Sequence, residues 1–225
     1  LNNKIMKKFY NLADIIFNFN FKKASKFSEK SIANQYVKEY TIKYLNGQSN
    51  EKLYSESKQK PIDYDLLRKI VSKNKLNIEK QLINNSLIIH LRIGDVFKEA
   101  PSIKKYIEII KKYKLNSKTN FCYLFYGFHK EVNIEESINY IEELEKQLIL
   151  IGFQVEKISG KPDDDFAHLS NAKYYIPGIR AYGLLSAAIN PNTVIWDLHN
   201  PPKFNWLRSQ KNLENCLRGY YFQKK

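Results

Sequence analysis

Two rhythms of apolar and polar positions divide the chain. In residues 1–82 the apolar residues recur at intervals of three and four, the spacing of one helix face. Ile5, Phe9, Leu12, Ile15, Ile16 and Phe19 form one such series; Ile32, Tyr36, Tyr40, Ile42 and Leu45 form a less regular second. Asn46-Gly47 breaks the chain, and Tyr64, Leu66, Leu67, Ile70 and Val71 predict a third helix ending near Lys75. No strand pattern occurs here, so this part is expected to be a short helical N-terminal region.

From residue 83 to residue 225 the texture changes to short apolar runs alternating with amphipathic stretches. Leu87-Ile88-Ile89 is too short for a helix and predicts a buried strand. Phe121 to Tyr126 predicts a second strand, Phe153 to Ile158 a third, Lys173 to Ile176 a fourth and Thr193 to Trp196 a fifth. Helices are expected after Pro101, over Ile134 to Leu150 with Ile138, Ile141, Leu144 and Leu148 on one face, over Asp165 to Ala172, and over Tyr182 to Ile189. Trp206, Leu207, Leu213, Leu217 and Tyr221 predict a C-terminal helix that folds back. Strands and helices alternating through short connections imply an α/β architecture, a Rossmann-like parallel sheet with helices on both faces.

Composition adds bounds to this picture. Apolar residues make up 43% of the chain and aromatic ones 14%, enough for a packed core. The abundance of Lys, Asn, Ile and Tyr matches an AT-rich bacterial or viral genome. Cys122 and Cys216 are the only cysteines and form no CxxC, which suggests neither a disulfide framework nor a structural zinc and fits a reducing, cytoplasmic compartment. No apolar stretch approaches the roughly 20 residues that span a bilayer, and the opening residues do not form a signal peptide. The net charge of +14 fits nucleic acid, an anionic membrane surface bound peripherally, or a phosphorylated small molecule. Nucleic acid is the weakest of the three, because the lysines are scattered and no recognition module is present.

Ligands of open α/β sheets bind at the carboxyl ends of the strands. There the sequence places His90, Arg92, Gly94 and Asp95 after the first strand, and Tyr126, Gly127 and His129 after the second. Ser159, Gly160 and Asp163 to Asp165 follow the third; Pro177, Gly178, Arg180, Tyr182 and Gly183 follow the fourth. Alternation along a strand points His90 and Arg92 to the same face. Gly94 permits a turn and a close approach of phosphate to the backbone. Arg92 offers a fixed fork of donors suited to a diphosphate, with Asp95 to orient it. A surface Arg-Asp ion pair beside a satisfied histidine explains the same residues equally well.

Gly178 and Gly183 flank a helix start, where free N–H groups form an anion site and Arg180 adds a cation. An ordinary strand-to-helix turn is the plainer account of that pair. Asp163-Asp164-Asp165 suits helix capping by Asp164 or Asp165 first; metal binding or a contact to a nucleotide is the alternative. His168 and His199 are expected to be structural.

Ile88-Ile-His-Leu-Arg-Ile-Gly-Asp95 resembles the His-x-Arg-x-Gly-Asp segment of the fucosyltransferase superfamily, the α-1,2, α-1,6 and protein O-fucosyltransferases. The stretch from Asp165 to Leu185 is similar to a second, looser family segment, with Tyr182-Gly183 matching the aromatic-Gly pair of α-1,2-type members. Ile179 and Arg180 depart from the small or hydroxyl residues usual there. The resemblance covers roughly residues 84–197. It implies the donor-binding domain of a two-domain GT-B glycosyltransferase, with residues 1–82 as a reduced acceptor-side domain. It further implies GDP-fucose as the donor and co-substrate, a glycan or other hydroxyl acceptor, and an inverting reaction with no required metal or other cofactor. By the same resemblance Arg92 is the catalytic residue, contacting the donor diphosphate. His90, Gly94, Asp95, Asp165, Gly178, Arg180, Tyr182 and Gly183 complete the donor site.

Overall fold

Runs of β-branched and aromatic residues bounded by polar turns favour strands buried on both faces; three such runs, with an alternating edge strand and a short fifth, pair into one sheet. A computed structural model of the chain describes residues 28–45, 62–73, 85–95, 97–128, 132–178 and 181–195. Its strands are β1 (Ser86–Ile93), β2 (Phe121–Phe128), β3 (Gln154–Ile158), β4 (Tyr174–Ile176) and β5 (Thr193–Val194). Its α-helices are α1 (Ile32–Leu45), α2 (Tyr64–Lys73), α3 (Ile103–Lys112), α4 (Ile134–Leu150), α5 (Pro162–Asn171) and α6 (Ala181–Ile189).

The sheet order is β3-β2-β1-β4-β5 and every pairing is parallel. From β1 the chain moves outward through β2 to β3, then returns to the other side of β1 for β4 and β5. The winding therefore reverses between β1 and β4, which makes that gap the topological switch point of a Rossmann-like sheet.

Each face of the sheet carries its own core. Leu87, Ile89, Leu91 and Ile93 of β1, with Cys122 and Leu124 of β2, pack under Tyr106, Ile109 and Ile110 of α3 and Ile141, Leu144 and Leu148 of α4. On the opposite face Ile88, Tyr123, Phe125 and Tyr175 meet α5 and α6. Ile32, Tyr36 and Tyr40 of α1 and Leu67 and Ile70 of α2 belong to that same core. The change of texture at residue 82 is thus not a break in packing. Asp63 ties α1 to α2. Its Oδ1 accepts the Leu66 amide at 2.9 Å as an N-terminal cap, and its Oδ2 accepts Lys43 Nζ at 2.7 Å and Tyr44 Oη at 2.8 Å.

Two differences from the sequence pattern have physical causes. The helix expected from Asp165 starts at Pro162, whose fixed φ suits a first helical position. In α4 the buried residues are Ser137, Ile141, Leu144 and Leu148, whereas Ile138 is 41% exposed. The polar Ser137 faces inward because the first turn of α4 abuts backbone and not an apolar side chain, as described below. The helix expected to end near Lys75 is α2, described as far as Lys73. The first apolar series (Ile5 to Phe19) and the C-terminal helix lie outside the described residues. Among those described, no helix is long and apolar enough to cross a membrane.

Candidate site at the switch point

β4 pairs with β1 only through Ile176, opposite Ile89, so the chain leaves the sheet just where β1 continues to Ile93. Pro177 and Gly178 turn away there and leave the exit of β1 bordered by a strand-to-helix turn. Gly178 lies hard against that exit. A Cβ on it would stand 2.7 Å from the His90 carbonyl oxygen, 2.9 Å from His90 Nδ1 and 3.3 Å from the Arg92 nitrogen. Gly183 in turn leaves no room for a Cβ against the Gly178 carbonyl. The two glycines are therefore required by close approach of β1, the turn and α6, a need for which either alone is a weak sequence signal.

His90 is buried, its Nδ1 has no hydrogen-bond partner, and its ring packs on Tyr182 with centroids 5.5 Å apart. Burial, reinforced by the positive charge of Arg92, pushes its pKa down to about 3, so the imidazole is neutral across the physiological range. Arg92 pairs with Asp95, Nη2 lying 3.1 Å from Oδ2 and 3.3 Å from Oδ1, with side chains 16% and 18% exposed. Its Nε is buried and makes no hydrogen bond. A guanidinium with an unused donor, held by a carboxylate at the carboxyl end of β1, where open α/β sheets bind ligands, can take an oxyanion.

Gly94 makes the expected turn at φ +78°. Its amide, however, is already used: the N–H donates to Ser137 Oγ at 3.1 Å, while Asn133 Nδ2 donates to its carbonyl at 3.1 Å. Gly94 and Asp95 thus lean toward α4, and the Gly94 N–H is not available to a phosphate. Asn133 and Ser137 were not legible as site neighbours. The one signal, a serine in phase with Ile141, Leu144 and Leu148, is hidden beside the equally spaced Ile138.

Asp165 is buried in the first turn of α5, where Oδ2 accepts the Gly160 amide at 3.2 Å. Burial, with a smaller contribution from Asp164, raises its carboxyl pKa to about 7. Neither Asp164 nor Asp165 is the N-cap of α5; that position is Lys161, without a side-chain cap. Asp163 instead accepts the Ile32 amide at 3.1 Å, at the start of α1. Among the described residues no three His, Cys, Asp or Glu side chains gather as metal ligands would.

Tyr182 is buried between His90 and Phe166, and its hydroxyl donates to the Pro162 carbonyl at 2.6 Å. It joins α6 to α5 and packs against the His90 ring. His90, Arg92, Gly178, Tyr182 and Gly183 therefore come together, and Asp165 stands behind them in α5, one residue before the Phe166 ring that packs on Tyr182. Arg180, Ile179 and His129 lie outside the described residues. His168 sits in α5 with its ring 5.7 Å from Phe125, within the core.

No family model, curated protein or solved structure matches the chain.

Proposed function

We propose that this crevice is the donor site of a sugar-nucleotide-dependent glycosyltransferase of the fucosyltransferase type, with Arg92 on the diphosphate of GDP-fucose. The observation that carries the reading is the position of Arg92: at the switch point, clamped by Asp95, with Nε unpartnered. The resemblance of residues 88–95 to the His-x-Arg-x-Gly-Asp segment supplies the identity of the donor. Under this reading the sheet is the donor-binding half of a GT-B enzyme. The acceptor is a glycan or other hydroxyl compound.

In the reaction an acceptor oxygen attacks the anomeric carbon while the bond to the diphosphate breaks, and negative charge grows on the departing GDP. A guanidinium already fixed by Asp95 meets that charge without reorganising, which is where electrostatic catalysis is largest. Neutral His90 does not compete with Arg92 for the anion and does not repel it. The close glycine pair brings the first backbone turn of α6 beside the phosphate path.

The test is release of GDP from GDP-fucose, with and without glycan acceptors, beside thermal-shift screening against GDP-, UDP- and CMP-sugars. A shift selective for GDP-fucose together with turnover is the expected result. No shift with any of the three rejects the site.

A second reading, a nucleotide-sugar-binding domain without turnover, is favoured by one observation. Asp95 is occupied by Arg92, and the other two titratable groups of the candidate site that could move a proton, His90 and Asp165, are both buried. Binding of GDP with no turnover over a broad acceptor panel would establish it.

A further inference from the structure

The edge of the sheet opposite the candidate site has its own chemistry. Four described segments meet at the amino ends of the strands: residues 111–120, 146–154, 171–174 and 190–193. They carry Lys111, Lys112, Lys114, Lys118, Lys146 and Lys173, all exposed, and not one Asp or Glu. The acidic residues Asp95, Glu99, Asp163, Asp164 and Asp165 lie toward the other edge. The amino edge is therefore uniformly basic over these segments, whereas the carboxyl edge carries both signs, with Arg92, Lys98 and Lys161 among its acids.

Specific contacts join the segments into one surface. Lys118 and Lys173 flank the Tyr174 ring at 5.7 and 5.8 Å. Lys173 also reaches the Asn85 side chain, and Asn116 Nδ2 donates to the Ile151 carbonyl at 3.3 Å. The Gln154 amide donates to Asn120 at 2.7 Å. Lysines at helix C-termini offset the helix dipole, which accounts for Lys111 and Lys112 in the last turn of α3. It does not account for α4, whose last turn holds Ile149 and Leu150, 53% and 75% exposed; Phe121, at the start of β2 on the same edge, is exposed as well.

We infer that this amino edge docks on an anionic phospholipid surface, with the lysines over the headgroups and Leu150 and Ile149 at the acyl boundary. Exposed aliphatic side chains on the same edge as a set of lysines are what such an interface rewards. A nucleic-acid backbone would gain nothing from the aliphatic pair, and the surface contains no arginine. Docked this way, the crevice at Arg92 faces away from the membrane and stays open to water. The inference does not rest on the donor-site reading.

Co-sedimentation of the full chain with vesicles of phosphatidylcholine alone, and of an equimolar mixture with phosphatidylglycerol, tests it. The protein is expected on the mixed vesicles only, and to be released by high salt. Each basic residue near such a surface contributes about a fivefold change, so Lys114→Gln, Lys118→Gln and Lys146→Gln together should lower partitioning roughly a hundredfold. Leu150→Ser should weaken binding and leave its salt dependence unchanged, while Lys104→Glu on the outer side of α3 should have no effect. Thermal melting verifies folding; if the triple variant fails to fold, Lys118→Gln and Leu150→Ser singly carry the test. Failure to bind mixed vesicles, or equal binding by the lysine variants, overturns the inference. So does lysine-dependent binding of single-stranded RNA that is indifferent to Leu150→Ser.

Discussion

Gly178 approaches His90 so closely that a single added carbon would lie 2.7 Å from the His90 carbonyl oxygen and 2.9 Å from its Nδ1. Both obstacles belong to a buried strand end and a packed ring, neither of which can swing aside. Gly178→Ala should therefore lower stability by about 1–3 kcal/mol through overpacking and displace His90 and Arg92 together. Chemical denaturation measures the first effect. Affinity for GDP, measured on the fraction that remains folded, should fall as well; a stable variant with unchanged affinity would show that this approach does not define the site.

The turn carrying Arg92 and Asp95 is held from the other side by α4. Ser137→Ala leaves the buried Gly94 N–H without its acceptor, a loss of about 1–3 kcal/mol. Ser137→Thr, which keeps the hydroxyl, should restore most of the nucleotide affinity lost in the alanine variant even if it packs less well. Affinity that follows stability alone, with no rescue by threonine, would reduce Ser137 to a structural residue.

Two buried groups near the crevice give opposing pH dependences. The carboxyl of Asp165 is raised from 3.8 to about 7 by burial, so folding favours its protonated form. Its contribution to stability is complete below pH 3.8 and is lost as pH rises through about 7. His90 is lowered from 6.5 to about 3 by burial and by Arg92, so its contribution is complete above pH 6.5 and is lost as pH falls toward 3. Between these limits the two largely offset. Asp165→Asn should expose the histidine contribution, making the variant lose stability relative to wild type as pH drops from about 6.5 to about 4. His90→Gln should show the reverse, gaining relative stability over the same range. Unfolding free energies across that range, compared as variant minus wild type, check both signs; parallel curves would refute the assignment.

Most of the architecture could be read from the chain because its periodicities are unambiguous. Leu87-Ile88-Ile89 and Phe121 to Tyr126 are too short for helices and too apolar for loops, and the stretch from Ile134 to Leu150 has a clear period. Strand order was not legible, since parallel pairing follows from long-range packing and leaves no local mark. The candidate site was legible in part. His90 and Arg92 on one face, and the glycines after β4, follow from alternation and from the rule that open α/β sheets bind ligands at the carboxyl ends of their strands. The partners of Gly94 were not, because Asn133 and Ser137 lie about 40 residues away and only the fold brings them close. Tyr182 looked like a ligand contact by its place in the motif, and its hydroxyl is instead engaged by Pro162. A side chain's partner, unlike its face, is not encoded in spacing.

The role of Arg92 is open to direct measurement. Its pair with Asp95 is mostly buried, so Arg92→Ala leaves the Asp95 carboxylate without its partner and should lower stability by about 1–3 kcal/mol; binding is therefore compared on protein shown to be folded by thermal melting. Titration calorimetry of GDP binding to wild type, Arg92→Lys and Arg92→Ala then isolates the guanidinium. Loss of a charge-assisted contact should weaken GDP by about tenfold to a hundredfold in the alanine variant, with lysine, which keeps the charge and not the fork, in between. Equal GDP affinity for all three folded proteins would contradict the assignment of Arg92 to the diphosphate.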